Sequence, residues 1–258
     1  ILSTYPGRPW QMAHAVGLDA IASAQAILED LGYNIETKEE SFERLLTHKT
    51  MSWDIASYKT ALSEVPLSLQ EELYSVWGAP EADLLAVDGS FKFTSLSFGN
   101  AMVALQPERG IKQNREGEYH DISRTPCHSY VAFYLWLQKV MKVDAIIHVG
   151  AHGTLEWLPG KAVALSDNCW PEVLAGNMPI IYPFIINDPG EAAQAKRRIG
   201  AVTLGHIPPP LKKANTPEQF SQLESLLDEF SIADGLDPKR RDRLKSDIIC
   251  EAESLGIA

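Results

Sequence analysis

Residues 144–161 read DAIIHVGAHGTLEWLPGK. The apolar run behind Asp144 has the composition of a buried strand, which ends at His148, and Gly150 and Gly153 prevent its simple continuation. In open α/β sheets ligands sit beyond the carboxyl ends of strands, so this segment delivers His148, His152 and Glu156 where sites are commonly built. Imidazole binds transition metals and a carboxylate serves as ligand or base, so the three suit a divalent metal or proton transfer. The loop is expected to border a cleft, with Glu156 and at least one of His148 and His152 open to it. In the competing reading His148 is a core histidine with satisfied ring nitrogens and His152 a turn residue. Spacings of four would align all three on one helix face, but the glycines oppose a continuous helix, so this is not the helical HExxH zinc signature. Gly153 to Lys161 ends in Gly-Lys, yet six residues intervene and Ala162 follows, which excludes a phosphate-cradling loop.

Outward from this stretch, strand signals alternate with helical ones. Downstream, MPIIYPFII (178–186) is a near-continuous apolar run, as in a strand buried on both faces of a parallel sheet. Asp188, Pro189 and Glu191 compose a capping-box-like start for a helix over 191–200, and AVTLGH (201–206) follows as a strand. Upstream, Ser129 to Lys142 forms an apolar, aromatic helix, and NAMVALQP (100–107) a strand. Residues 109–121 make a polar loop long enough to be functional. ILSTYPG (1–7) reads as strand and turn, and 18–33 as a helix closed by Gly32. Residues 36–77 read as helical, best at 41–46 and 69–77, punctuated by Pro66 and Pro80. The expected fold is α/β: a mainly parallel sheet with helices on both faces over 1–210, then a charged helical C-terminal extension over 211–258. There is no internal repeat.

With 258 residues the chain can form one large domain or two smaller ones. A net charge of −11 argues against a nucleic-acid surface, and no apolar run approaches the roughly 20 residues needed to span a bilayer. The start on Ile1 has no export pattern, and the missing Met suggests a segment of a longer protein. Cys127, Cys169 and Cys250 are odd in number and far apart, which fits a reducing, cytoplasmic compartment. Cys127 precedes His128 and could be a ligand, although small buried filler is the more usual role of such a residue.

Other residues carry possible chemistry. His120 with Asp121 could tune a base, against a plain solvated loop. Lys196, Arg197 and Arg198 either form a solvated helix face or meet the carboxylates of an anionic ligand. Trp157, Trp170, Tyr182 and Phe184 either line a flat apolar pocket or belong to the core.

HVGAHGTLEWLPGK (148–161), LSDNCWPE (165–172), IIYPFIINDPGEAAQAKRR (180–198) and PPPL (208–211), with Tyr119-His120-Asp121, Pro126-Cys127-His128 and AFYLWL (132–137) upstream, closely resemble the cobaltochelatase large-subunit family. That family is related to the H subunit of magnesium chelatase. The resemblance is densest over 100–211. Trp157 and the tract ending Asn187-Asp188-Pro189-Gly190-Glu191 resemble the cobalt branch; Ala151 and Cys127 depart from its usual residues.

The resemblance implies insertion of Co²⁺, as substrate ion, into a corrin precursor, hydrogenobyrinic acid a,c-diamide, in aerobic cobalamin synthesis. It implies AAA+-type ATPase partner subunits that carry ATP and Mg²⁺, in agreement with the missing phosphate loop here. On this reading Glu156 accepts a proton or relays the metal, and His148 and His152 escort Co²⁺. Lys161, Arg197 and Arg198 pair with tetrapyrrole carboxylates, and Trp157, His120 and His128 are further substrate-binding candidates. Three alternatives stay open: magnesium chelatase-type insertion into a porphyrin, a metal-dependent hydrolase with a His-His-Glu centre, and a non-catalytic tetrapyrrole-binding scaffold.

Overall fold

A computed structural model describes residues 1–3, 18–35, 50–110, 121–150, 153–183, 189–205, 220–233 and 238–255. The chain divides into two compact units, Ile1–Pro208 and Pro209–Ala258. In the first unit, helix α1 (Ala20–Asp30) is capped by the Asp19 carboxylate, which accepts the Ala22 N–H at 2.9 Å. Strand β1 (Thr50–Asp54) runs into α2 (Ile55–Leu62), where Asp54 caps in the same way, and α3 (Leu67–Trp77) follows Pro66. Then come β2 (Ala86–Val87), β3 (Ser90–Phe98) and β4 (Ala101–Ala104). Both β1 and β2 pair antiparallel with the first half of β3, and β4 pairs antiparallel with its second half.

This antiparallel sheet corrects the expectation of a mainly parallel one. The turn between β2 and β3 explains it. Asp88 and Gly89 both take positive φ (51° and 71°) between the paired residues Val87 and Ser90, a two-residue turn whose twist suits an antiparallel hairpin. The helical reading of 36–77 is likewise corrected at Thr50–Asp54, where β1 lies along β3 in the register Thr50↔Thr94 to Asp54↔Ser90. Of its best parts, 41–46 lies outside the described residues and 69–77 falls within α3.

Helix α4 (His128–Trp136) is buried at every position, as a helix apolar on all sides must be, and continues into a π-helical turn over Leu137–Met141. It packs on β3 through Phe93, whose ring centroid lies 5.5 Å from Phe133 and 5.1 Å from Trp136. After it, β5 (Ile146–Ile147), α5 (Trp170–Ala175), β6 (Ile180–Tyr182), α6 (Pro189–Ile199) and β7 (Val202–Thr203) build a three-stranded parallel sheet in the order β5-β6-β7. Here the parallel reading holds. Leu2 bridges in parallel to both Leu105 and Val149: its N–H donates to Ala104 O at 2.9 Å, and Val149 N–H donates to Ile1 O at 2.8 Å. Residues 1–3 therefore link the edge of the antiparallel sheet to the parallel one.

The second unit contains α7 (Ser221–Ala233) and α8 (Pro238–Ser254), joined by an exposed Arg240–Glu229 pair at 3.2 Å. Among the described residues no helix is long and apolar enough to cross a membrane.

Candidate functional site

The parallel register sets the site. Ile147 pairs with Ile181, and the N–H of His148 donates to the Ile181 carbonyl at 2.8 Å, so the next residues along, His148 and Tyr182, lie side by side at the strand ends. Their ring centroids are 4.8 Å apart at an interplanar angle of 38°. Glu156 meets them from a one-turn 3₁₀ segment, Leu155–Trp157. Its carboxylate accepts the Tyr182 hydroxyl on Oε2 at 2.8 Å and the Gly153 N–H on Oε1 at 3.1 Å. Gly153 is required by space: a Cβ there would lie 2.3 Å from Tyr182 Oη and 3.1 Å from both Glu156 Oε2 and His148 Cε1.

Two buried guanidinium groups hold the backbone of the Glu156 turn. Arg198 donates from Nη1 to the carbonyls of Glu156 (2.7 Å) and Leu158 (2.8 Å), and from Nε to that of Lys161 (3.1 Å). Arg109 donates to the carbonyl of Trp157 at 3.2 Å, and also to the Asp121 and Arg124 carbonyls. Three successive carbonyls, 156 to 158, are thus each held by a fixed cation. The Trp157 indole N–H donates to the buried Glu191 carboxylate at 2.7 Å, which ties the turn to the first turn of α6.

A further polar layer comes from α4. Gln106 donates to the hydroxyls of Tyr130 (3.1 Å) and Tyr134 (2.7 Å), and Tyr130 Oη lies 2.8 Å from Thr154 Oγ1. Burial raises the titration of Tyr130, Tyr134 and Tyr182 above the ordinary phenol value, and the negative charge of Glu156 raises it further. All three remain protonated donors throughout the neutral range.

The structure brings His148 and Glu156 together as the sequence expects, but not in an open cleft: Glu156 is 0 % exposed and His148 2 %. The turn is anchored from beneath by Arg198 and roofed on the carboxylate side by Tyr182, which leaves Glu156 inside the fold. His152 and His120 lie outside the described residues, as do Phe184 and Asp188. Among the described residues no three His, Cys, Asp or Glu side chains converge as a metal site.

His128 sits elsewhere. Its Nε2 faces the Gly78 carbonyl at 2.9 Å and its Nδ1 the Tyr58 hydroxyl at 2.8 Å, so Nε2 carries the proton and Nδ1 accepts. Such a ring is a satisfied core histidine. Of the cationic cluster, Lys196 and Arg197 are exposed while Arg198 is 3 % exposed and turned onto backbone carbonyls. Lys161 is exposed, Trp157 half-buried, and Trp170 fully buried in the core. Cys127 is the buried filler expected of it, its thiol pushed up to about 12 by burial.

Sequence reasoning missed Arg109, Thr154 and the roles of Gly153 and Tyr182. Tyr182 was within reach: a parallel partner for 144–149 puts the residue after Ile181 beside His148.

A family model described as CobN/Magnesium Chelatase matches residues 1–258. The chain belongs to the CobN/magnesium chelatase family. Among CobN relatives, the aerobic cobaltochelatase subunit CobN of Pseudomonas aeruginosa is 39% identical over 268 residues, covering 96% of this chain and 22% of that protein. The CobN protein from Sinorhizobium sp is 36% identical over 277 residues, covering 100% of the chain and 22% of the relative. On the magnesium side of the family, the H subunit of magnesium chelatase from Chlorobaculum parvum is 29% identical, covering 100% of the chain and 21% of that protein. The solved catalytic subunit of cobaltochelatase from Mycobacterium tuberculosis superposes with a TM-score of 0.71 at 32% identity, over 99% of this chain and 23% of that one. The chain spans about a fifth of the length of these relatives.

Proposed function

We propose that this chain carries part of the metal-insertion centre of a cobaltochelatase, acting on Co²⁺ and a corrin precursor, hydrogenobyrinic acid a,c-diamide. The observation that supports this most is the Glu156 carboxylate, accepting hydrogen bonds on both oxygens beside the His148 ring and anchored by two guanidinium groups. As a divalent ion enters a macrocycle, metal–nitrogen bonds form and the ring nitrogens release protons. A preorganised carboxylate can accept one of them or pass the ion on. His148 and His152 are assigned to escort the ion, neutral imidazole being a good ligand for cobalt. Lys161 and Arg197, both exposed, are the cations left to pair with carboxylates of the macrocycle, while Arg198 acts from inside the turn. ATP and Mg²⁺ are assigned to AAA+-type partner subunits, and the complex to the cytoplasm. Cobalt is preferred to magnesium because identity is 39% and 36% to the two CobN relatives and 29% to the magnesium-chelatase relative.

The test uses the full-length protein with its partner subunits. Visible absorbance follows the macrocycle with Co²⁺ and, in parallel, a porphyrin with Mg²⁺. Glu156→Gln keeps size and shape but cannot accept the proton as a carboxylate does, so cobalt insertion should slow by about 10²- to 10⁴-fold while macrocycle binding persists. Wild-type turnover in the variant would reject the role of Glu156, and faster magnesium than cobalt insertion would reject the assigned metal.

A further inference from the structure

We propose that Cys169 is a site of oxidation by hydrogen peroxide, its sulfur taking one oxygen to become a sulfenate held by the free end of the Arg198 guanidinium. Cys169 stands just before α5 and closes the loop that leaves Pro159. Its N–H donates to the Ser166 carbonyl at 2.9 Å, and the next N–H, that of Trp170, to the Pro159 carbonyl at 3.1 Å. The sulfur sits among donors: the Lys161 N–H donates to Sγ at 3.4 Å, and Ser166 Oγ lies 3.7 Å away. Burial opposes a charge on this sulfur, yet the hydrogen bonds from Ser166 and Lys161 and the Lys161 ammonium outweigh it and hold the thiol below its ordinary value. The thiolate is the form that attacks peroxide.

A buried thiol by itself would be inert, and Arg198 is what makes this one a site. The guanidinium is 3 % exposed; its Nη1 and Nε are taken up by the carbonyls of Glu156, Leu158 and Lys161, while Nη2 is buried with no hydrogen-bond partner. That nitrogen and the sulfur look into one gap, since a Cβ on Gly160 would lie 3.1 Å from Cys169 Sγ and 3.2 Å from Arg198 Nη2. A buried donor without an acceptor is costly, and an anionic oxygen on the sulfur supplies the acceptor. Gly160 to Ala164 are all exposed, so Cys169, itself 2 % exposed, lies under a single exposed stretch of loop. An oxidant as small as hydrogen peroxide needs only a local opening of that loop to reach it. The thiolate then attacks one peroxide oxygen. A sulfur–oxygen bond forms as the oxygen–oxygen bond breaks, sulfur gives up an electron pair, and the departing hydroxide takes the proton of the new S–O–H group and leaves as water. The remaining sulfenate carries the negative charge that Nη2 meets.

The other two cysteines serve as references. Exposure alone would put Cys250 first, because it is exposed while Cys127 and Cys169 are buried. The full-length protein is treated with hydrogen peroxide, quenched with catalase and unfolded in dimedone, so that the trap need not enter the fold. Peptide masses then give the share of each cysteine captured as sulfenate. Cys169 should be captured several-fold faster than Cys250, and about tenfold or more faster than Cys127, whose thiol burial pushes up to about 12. Cys250 ahead of Cys169, or Cys169 as slow as Cys127, would overturn the proposal. Arg198→Lys keeps a positive charge but loses the planar fork. With Cys127 still slow, which marks an intact fold, capture at Cys169 should drop several-fold in this variant, and capture equal to wild type would overturn the site. If Cys127 is captured as well, the variant has unfolded, and the order of the three cysteines in the wild type decides alone.

Discussion

Arg198 looks, in the sequence, like one of three cations on a helix face, and Lys196 and Arg197 are indeed exposed. Arg198 is instead almost fully buried, with Nη1 and Nε on three carbonyls of the Glu156 loop. A guanidinium is the side chain suited to this, since its planar fork reaches several acceptors at once and stays charged. Gln in its place would leave carbonyls of the turn without donors in the interior. Arg198→Gln is therefore expected to lower stability by about 2–4 kcal/mol in urea denaturation, while Lys196→Gln and Arg197→Gln change it by less than about 0.5. Equal effects from all three would show that the buried contacts carry no special weight. The same substitution should also impair metal insertion, through a loosened Glu156 rather than a lost ligand contact.

Secondary structure was most legible where periodicity and punctuation agree: α1 with its Gly32 stop, the aromatic α4, and the parallel strands on either side of the Glu156 loop. The antiparallel sheet was not read, although Asp88-Gly89 between Val87 and Ser90 is a strong short-range hairpin signal. The flanking runs explain the miss: the alternation in Ser90–Phe98 changes phase at Ser95, from Phe91 and Phe93 to Leu96 and Phe98, and Thr50–Asp54 is too short and mixed to stand apart from the helical segment after it. The site was legible as residue types, His148 and Glu156, but its burial was not, because Arg198, Arg109 and Tyr182 come from three distant parts of the chain. Two glycines separate backbone demands from packing demands. A Cβ at Gly89 would meet nothing within 4 Å, so Gly89→Ala should cost only the left-handed backbone, about 1–2 kcal/mol. At Gly153 no positive φ is involved but the methyl strikes Tyr182 Oη, so Gly153→Ala should cost about 1–3 kcal/mol by overpacking and uncouple Tyr182 from Glu156. Denaturation curves for the two variants, with Gly89→Asn as a tolerated control, check the distinction.

At the scale of the whole first unit, cohesion runs through α4, which β3 covers on one side and whose first residue closes against α2 and the turn after α3. That closure depends on a neutral imidazole. Burial holds the titration of His128 below its ordinary value, only partly offset by the Gly78 carbonyl and by Asp83 and Glu81 nearby. In the unfolded chain the same residue takes up a proton near pH 6.5. Between that pH and its lower folded value the unfolded state binds more protons, so stability must fall as pH falls; above about pH 7 neither state is protonated and the contribution is complete. The lowered carboxylates Asp54, Asp121 and Glu81 act in the same direction, but below the ordinary carboxyl range near pH 4, so the two windows are separate. The share of the urea-unfolding free energy that belongs to His128 should therefore stay level above about pH 7 and begin to decline near pH 6.5, superimposed on the loss from the buried Ile1 amine, whose titration burial lowers to about 5. His128→Gln, which stays neutral and offers both a donor and an acceptor, should flatten that first decline at some general cost in stability. If the decline persists with the same slope in His128→Gln, the proton uptake belongs to another group, such as the buried Ile1 amine, and the closure at the start of α4 is not what acid loosens first.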